Sequence, residues 1–215
     1  MRAWHFCRND KTLGYGDGRE IKVGETISVE GKPVLCQHGL HGSVSVLDAL
    51  KYASGSILCV VEIERDVQDG TDKVVGGERT TLAMADVTET LQVFARQVAL
   101  RVVHLWDCPD VVREFLETGN PEVAAEAAEA AEAARAASAA NAANAASAAE
   151  AVSAAEAAWA ARAAARAASA AEAALVAALA AAWAAEAAWA AVERTTQEQL
   201  LLVLLRERHP ELFEV

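Results

Sequence analysis

Ile57-Leu58-Cys59-Val60-Val61-Glu62-Ile63 breaks its apolar run only at Glu62, too little polarity for a sheet edge with one side in water. The run predicts a strand at the centre of a sheet. Just upstream, residues 44–53 put Val46, Leu47, Leu50 and Ala53 on one helix face, with Ser43 or Ser45 available as N-cap. Ser54-Gly55-Ser56 ends that helix. Further upstream, residues 1–7 (MRAWHFC) read as a first strand and 14–18 as a glycine-rich loop. Residues 26–29 and 33–36 read as two short strands around Glu30-Gly31-Lys32, and Gln37-His38-Gly39-Leu40-His41-Gly42-Ser43 as a loop. Downstream, 73–75 and 79–84 flank Gly76-Gly77 and are expected to pair with each other. From Asp86 the period becomes helical through Val87, Leu91, Phe94, Val98, Leu100 and Val102 toward Trp106, and Pro109 opens a short helix over 110–117. Strands followed by helices, without βαβ alternation, predict an α+β domain over residues 1–120: a small mixed sheet with flanking helices.

Gly119-Asn120-Pro121 separates this domain from an alanine-rich helical arm, 121–195, and a C-terminal helix for packing or assembly, 196–215. Of residues 124–191, 45 are alanine, and neither glycine nor proline occurs from Glu122 to His209, so helix is the expected local state. From Val123 to Arg162 a non-alanine residue recurs every third position. A three-residue step drifts about 60° backwards around an α-helix, so the larger residues visit every face instead of forming a seam. A single straight helix over 122–208 would run about 130 Å and would leave Trp159, Trp183, Trp189 and the run 200–205 exposed. A hairpin, bending most easily at the Ser/Asn zone 138–147, or a bundle with other copies is expected instead. Residues 200–205 are apolar all round and demand cover, which predicts a homo-oligomer built through the arm.

The net charge of −12 is shared, residues 1–120 holding 13 Lys+Arg against 18 Asp+Glu and the remainder 6 against 13. Nothing forms the basic stripe that displaces counterions from phosphate, so nucleic acid is not an expected partner. Acidity disfavours an anionic membrane surface too, and the charges that interrupt the arm disfavour a membrane span. The first residues contain no apolar run of signal-peptide length, and the four dispersed cysteines, Cys7, Cys36, Cys59 and Cys108, are expected as free thiols of a cytoplasmic protein.

Three constellations bear on chemistry. Cys36-x-His38-x-x-His41 is the densest cluster of ligand-type side chains, but its spacing belongs to no zinc module and no metal is expected. Cys36 near His38 is the one candidate thiol nucleophile, without an orienting third member, so no catalytic residue is assigned and no cofactor is expected. Arg2, Trp4, His5, His41 and Tyr52, with Trp106, supply material for a pocket that stacks a planar group. His41 between Gly39 and Gly42 marks the loop expected to line the functional surface.

The blocks Val23-Gly24-Glu25-Thr26, Leu35-Cys36-Gln37-His38-Gly39-Leu40-His41, Leu47-Asp48-Ala49-Leu50 with Tyr52, the 57–62 strand and Asp72-Lys73-Val74-Val75 keep an order and spacing over residues 1–90. In that order they resemble an uncharacterised domain of phages and prophages with a Cys-x-x-Gly-Leu/Phe-His core. The Ala-Ala-Trp and Ala-Ala-Arg repeats are similar to tails on actinobacterial phage members. The resemblance implies phage ancestry and, because phages encode proteins that intercept host signals, a non-enzymatic accessory protein that recognises or sequesters a nucleotide-like or other small molecule or a host partner. A second likeness, to ADP-ribosyltransferase folds, lays Arg2 or His5, Gly39-Leu40-His41-Gly42-Ser43 and Tyr52-Ala53 onto that outline. It implies an enzyme acting on NAD and adds Ser43 to the candidate ligand-binding residues. A structural, virion-associated assembly protein is the third reading.

Overall fold

The computed structural model describes residues 1–14, 17–105, 108–142 and 190–215. Strands are numbered β1 Arg2–Cys7, β2 Thr26–Ser28, β3 Leu40–Gly42, β4 Ile57–Glu64, β5 Gln68–Asp69, β6 Val74–Gly76 and β7 Glu78–Asp86. Helices are α1 Val46–Lys51, α2 Thr88–Val102, α3 Asp110–Thr118, α4 Ala124–Ala142 and α5 Ala190–Arg208. Two compact units result: Met1–Thr90 together with Glu198–Val215, and Leu91–Gln197.

In the first unit β4 lies inside a four-stranded sheet of order β1-β4-β7-β2, as its apolar run requires, and β3-β6-β5 form a second sheet. Among the described residues every strand pair is antiparallel, so two antiparallel sheets stand there in place of the single mixed sheet expected. The fold class is α+β. Between Val60 and Val61 the β4–β7 register shifts, leaving Leu82 as the extra residue on β7, a bulge that bends and twists the strand. Trp4 and Ser43 exchange backbone hydrogen bonds at 2.7 and 2.9 Å, stitching β1 to the residue that follows β3. Ala3, Cys7, Cys59, Val61 and Ile63 form one core with Leu13, Ile21, Leu40 and Val74.

α1 starts where the cap residues say it should: the Ser45 hydroxyl accepts from the Asp48 N–H at 3.3 Å. Asp86 opens α2, its carboxylate accepting from the Thr88 N–H at 2.9 Å and from the Thr88 and Ser56 hydroxyls. Three strand assignments change. Residues 33–36 are a turn, with Val34 and His38 bonded to each other and Cys36 at φ 64°, and the strand falls instead on Leu40–Gly42, inside the expected loop. β6 and β7 do not pair with each other. Only Gly77 separates them, too short a link for a hairpin, and the chain passes from one sheet to the other there, the Gly77 N–H donating to the Arg65 carbonyl at 2.8 Å.

In the second unit Ala99 and Val103 pack with Val112, Phe115 and Leu116 of α3 and with Ala127 and Ala131 of α4. The alanine face is thus a packing face, where small side chains let backbones approach. Arg101 on α2 holds Glu193 on α5 through two hydrogen bonds of 2.9 and 3.1 Å. Ala131 of α4 and Glu193 of α5 thus both meet the stretch 99–103. The period-three repeat beyond Ala142, with Trp159, Trp183 and Trp189, lies outside the described residues, as does most of the bend zone 138–147.

The leucine run finds cover within one chain. Leu201, Leu204 and Leu205 of α5 are buried, whereas Val203 is 51% exposed, so the run by itself does not require a second copy. After α5 the turn Pro210–Leu212 lies against β7. His209 bonds the Thr90 hydroxyl at 3.0 Å, and Phe213 meets Trp4 edge-on, ring centroids 5.6 Å apart. No helix among the described residues is long and apolar enough to cross a membrane.

Candidate functional site

The sequence-derived set does not share one cleft. Successive strand residues face opposite sides of a sheet, so Trp4 and His5 part company on β1: Trp4 turns to Phe213, and His5 to the side that holds Arg79 and His41. Arg2 is exposed opposite Glu62. Ser43 is buried, its backbone engaged with Trp4. Trp106 lies outside the described residues.

His41, half-buried on β3, is fully occupied by its own loop. Its Nε2 accepts from the Cys36 N–H at 3.2 Å, and its Nδ1–H donates to the Gly39 carbonyl at 3.1 Å. This fixes the neutral tautomer and explains how Cys36 holds a left-handed backbone angle and Gly39 a φ of 123°, conformations an isolated chain avoids. Burial holds the imidazole below its ordinary value in spite of the Gly39 carbonyl, helped by Lys73 and Arg79. His38 is likewise committed to backbone, at 2.6 Å from the Glu30 carbonyl. The Cys36-x-His38-x-x-His41 cluster is therefore a loop staple, and no three His, Cys, Asp or Glu side chains among the described residues gather as a metal site.

Beside that loop stands a surface corner of which the sequence offered only Tyr52. The Tyr52 ring, at the end of α1, is 48% exposed. Its hydroxyl donates to Asp72 at 2.6 Å, and the Lys73 ammonium sits 4.2 Å from the ring centroid. Burial and the Asp72 carboxylate push the phenol up. For Lys73, burial works against the charge, but the Tyr52 hydroxyl and the Cys36 thiol outweigh it and the ammonium stays above its usual value. An aromatic ring fixed between a cation and a carboxylate, next to an exposed thiol, is a pre-organised contact surface. Asp72 and Lys73 precede β6, and no local pattern marks them as neighbours of a helix end twenty residues earlier.

The other missed residue is Arg79. It is buried on β7 opposite Ile63 and Ile27. One guanidinium nitrogen, Nη1, donates to the His41 carbonyl at 2.8 Å; the other, Nη2, has no hydrogen-bond partner. Burial pushes its pKa down to about 10, opposed by Cys59 and Cys7. His5 is held well below the ordinary histidine value by burial first, then by Arg79 and His41.

A pH prediction follows. His5 is neutral in the fold and binds a proton in the unfolded chain below about pH 6.5. Stability is then complete above that pH and falls as the solution is acidified toward the folded-state value, by about 1.4 kcal/mol per pH unit while only the unfolded chain is protonated. Asp10, Asp17 and Asp86, all held below 3.8, act at lower pH. Melting should therefore weaken between about pH 6.5 and pH 5, and His5→Gln should reduce that dependence, the part that remains coming from His41, which is also held below its ordinary value. A melting temperature constant across the window contradicts the assignment.

No curated protein and no solved structure matches the chain. Residues 1–93, which carry all seven strands, α1, the Tyr52 corner and Arg79, match the family model of a domain of unknown function (DUF7666).

Proposed function

We propose that the chain is a phage-type accessory protein that recognises its target without catalysis, through the corner formed by Tyr52, Lys73 and Asp72. The observation that carries this reading is the exposed Tyr52 ring, braced by Asp72 through its hydroxyl and by Lys73 at its face. The three groups offer what a nucleotide-like ligand uses: a ring for a planar base, an ammonium for phosphate and a carboxylate for hydrogen-bond donors. The commitment of both His41 nitrogens to the loop backbone supports binding over catalysis, because a general base needs a free nitrogen within reach of its proton. Phage ancestry is supported by the ordered blocks of residues 1–90. Self-association through the arm is supported by its alanine and tryptophan content, and a monomer in light scattering would contradict it.

Chain purified from a cell extract should carry a small molecule that denaturation releases for mass spectrometry. Tyr52→Ala should lose that molecule while changing stability by no more than about 1 kcal/mol, since half of the ring is already in water. An undiminished yield from the variant counts against the corner as the binding surface.

A further inference from the structure

Two thiols remain unused by this reading. Cys7 and Cys59 are buried, and their sulfurs lie 3.9 Å apart. The register explains the approach: His5 stands opposite Cys59 and Cys7 opposite Ile57, making the cysteines diagonal neighbours on one face of an antiparallel pair. Ile63 shares that face of β4 at even spacing from Cys59 and stands opposite Arg79.

A guanidinium buried to 3% exposure calls for an opposing charge. Among the described residues no carboxylate bonds Arg79; Nη1 is taken by a carbonyl and Nη2 by nothing. The acidic groups that act on it are the two thiols.

We propose that Cys7 and Cys59 form a dithiol that hydrogen peroxide oxidises to a disulfide, with Cys7 as the attacking sulfur and Arg79 as its fixed counter-charge. Cys7 is the sulfur that gives up its proton. Either sulfur can be the donor in the hydrogen bond between them; donated by Cys59, it lowers the Cys7 pKa against the opposing effect of burial, and Arg79 lowers it further. The same hydrogen bond and burial push the Cys59 thiol up. Among the other charges, Asp10 opposes ionisation of Cys7 and Lys11 favours that of Cys59, while neutral His5 adds none.

The Cys7 thiolate attacks one peroxide oxygen, the O–O bond breaks, and Cys7 becomes a sulfenic acid as hydroxide leaves. Cys59 sulfur then attacks the Cys7 sulfur. The S–O bond breaks, and the departing hydroxyl takes the Cys59 proton and leaves as water. The hydroxide recovers the proton that Cys7 had released. Two thiols and one peroxide thus give one disulfide and two waters. The sulfurs must close from 3.9 Å to about 2.05 Å.

The full-length chain carrying Cys36→Ser and Cys108→Ser keeps only this pair. Peroxide should lower its mass by two hydrogens, and peptide mapping should join Cys7 to Cys59. Adding Cys59→Ser should leave one oxygen on Cys7, whereas Cys7→Ser should leave Cys59 unoxidised. Arg79→Met should slow the reaction at least about tenfold. If that variant fails to fold, the oxygen trapped on Cys7 in Cys59→Ser decides alone. A pair that stays reduced while Cys36 of the unaltered chain takes up oxygen overturns the proposal. So does a folded Arg79→Met that oxidises at the original rate.

Discussion

Ending the chain at Gln197 is expected to unfold the unit that contains β1 to β7, although the strands themselves are left whole. Glu198–Val215 belongs to that unit, and Leu201, Leu204, Leu205 and Leu212 within it are all buried. Losing one buried leucine side chain costs about 2–5 kcal/mol. Four of them together reach or exceed the roughly 5–15 kcal/mol that holds a domain folded. The truncation also removes the Phe213 edge contact with Trp4 and the His209 bond to Thr90. In circular dichroism the shortened chain should show no cooperative melt of its sheet signal. A melt within a few degrees of full length would mean that residues 1–90 fold without their C-terminal cover.

Gly76→Ala should cost about 3 kcal/mol or more. Gly76 ends β6, opposite Leu40. An added Cβ would collide with the Glu64 carbonyl oxygen and would come within 2.5 Å of Ile63 Cγ2. The first obstacle is backbone of the central strand and cannot swing aside, so the β3-β6-β5 sheet would have to lift from β4. Gly14→Ala is the control. Its added carbon meets nothing within 4 Å, and it should stay within about 0.5 kcal/mol of the parent. Denaturant midpoints compare the two directly, and equal costs would show that β6 is not pressed against β4.

What the sequence disclosed was local. The 57–63 run declared an interior strand because only burial on both faces tolerates it. Ser45 and Asp86 declared helix starts because their side chains serve nearby backbone N–H groups. The arm's first segment, to Ala142, follows from alanine propensity. What stayed hidden depends on residues far apart in the chain. Cys36 and Gly39 hold unusual backbone angles because the His41 ring clasps both, which turned an expected strand into a turn and an expected loop into β3. Arg79 occupies a position where strand alternation buries its side chain, yet arginine is ordinarily read as exposed; its partner carbonyl lies 38 residues away. The split of Trp4 from His5, by contrast, was available in advance, since a two-residue period cannot aim both into one pocket. The leucine run signalled that it needed cover, but nothing local said that its own chain supplies it.

Recognition at the Tyr52 corner is tested most directly by nuclear magnetic resonance of the full-length chain titrated with a nucleoside monophosphate, a nucleoside diphosphate and NAD. At least one should shift the signals of Tyr52, Asp72, Lys73 and Cys36 saturably, and every added nucleotide should be recovered intact. Shifts confined to other residues, no shift with any of the three, or release of nicotinamide from NAD would contradict binding without catalysis at this corner.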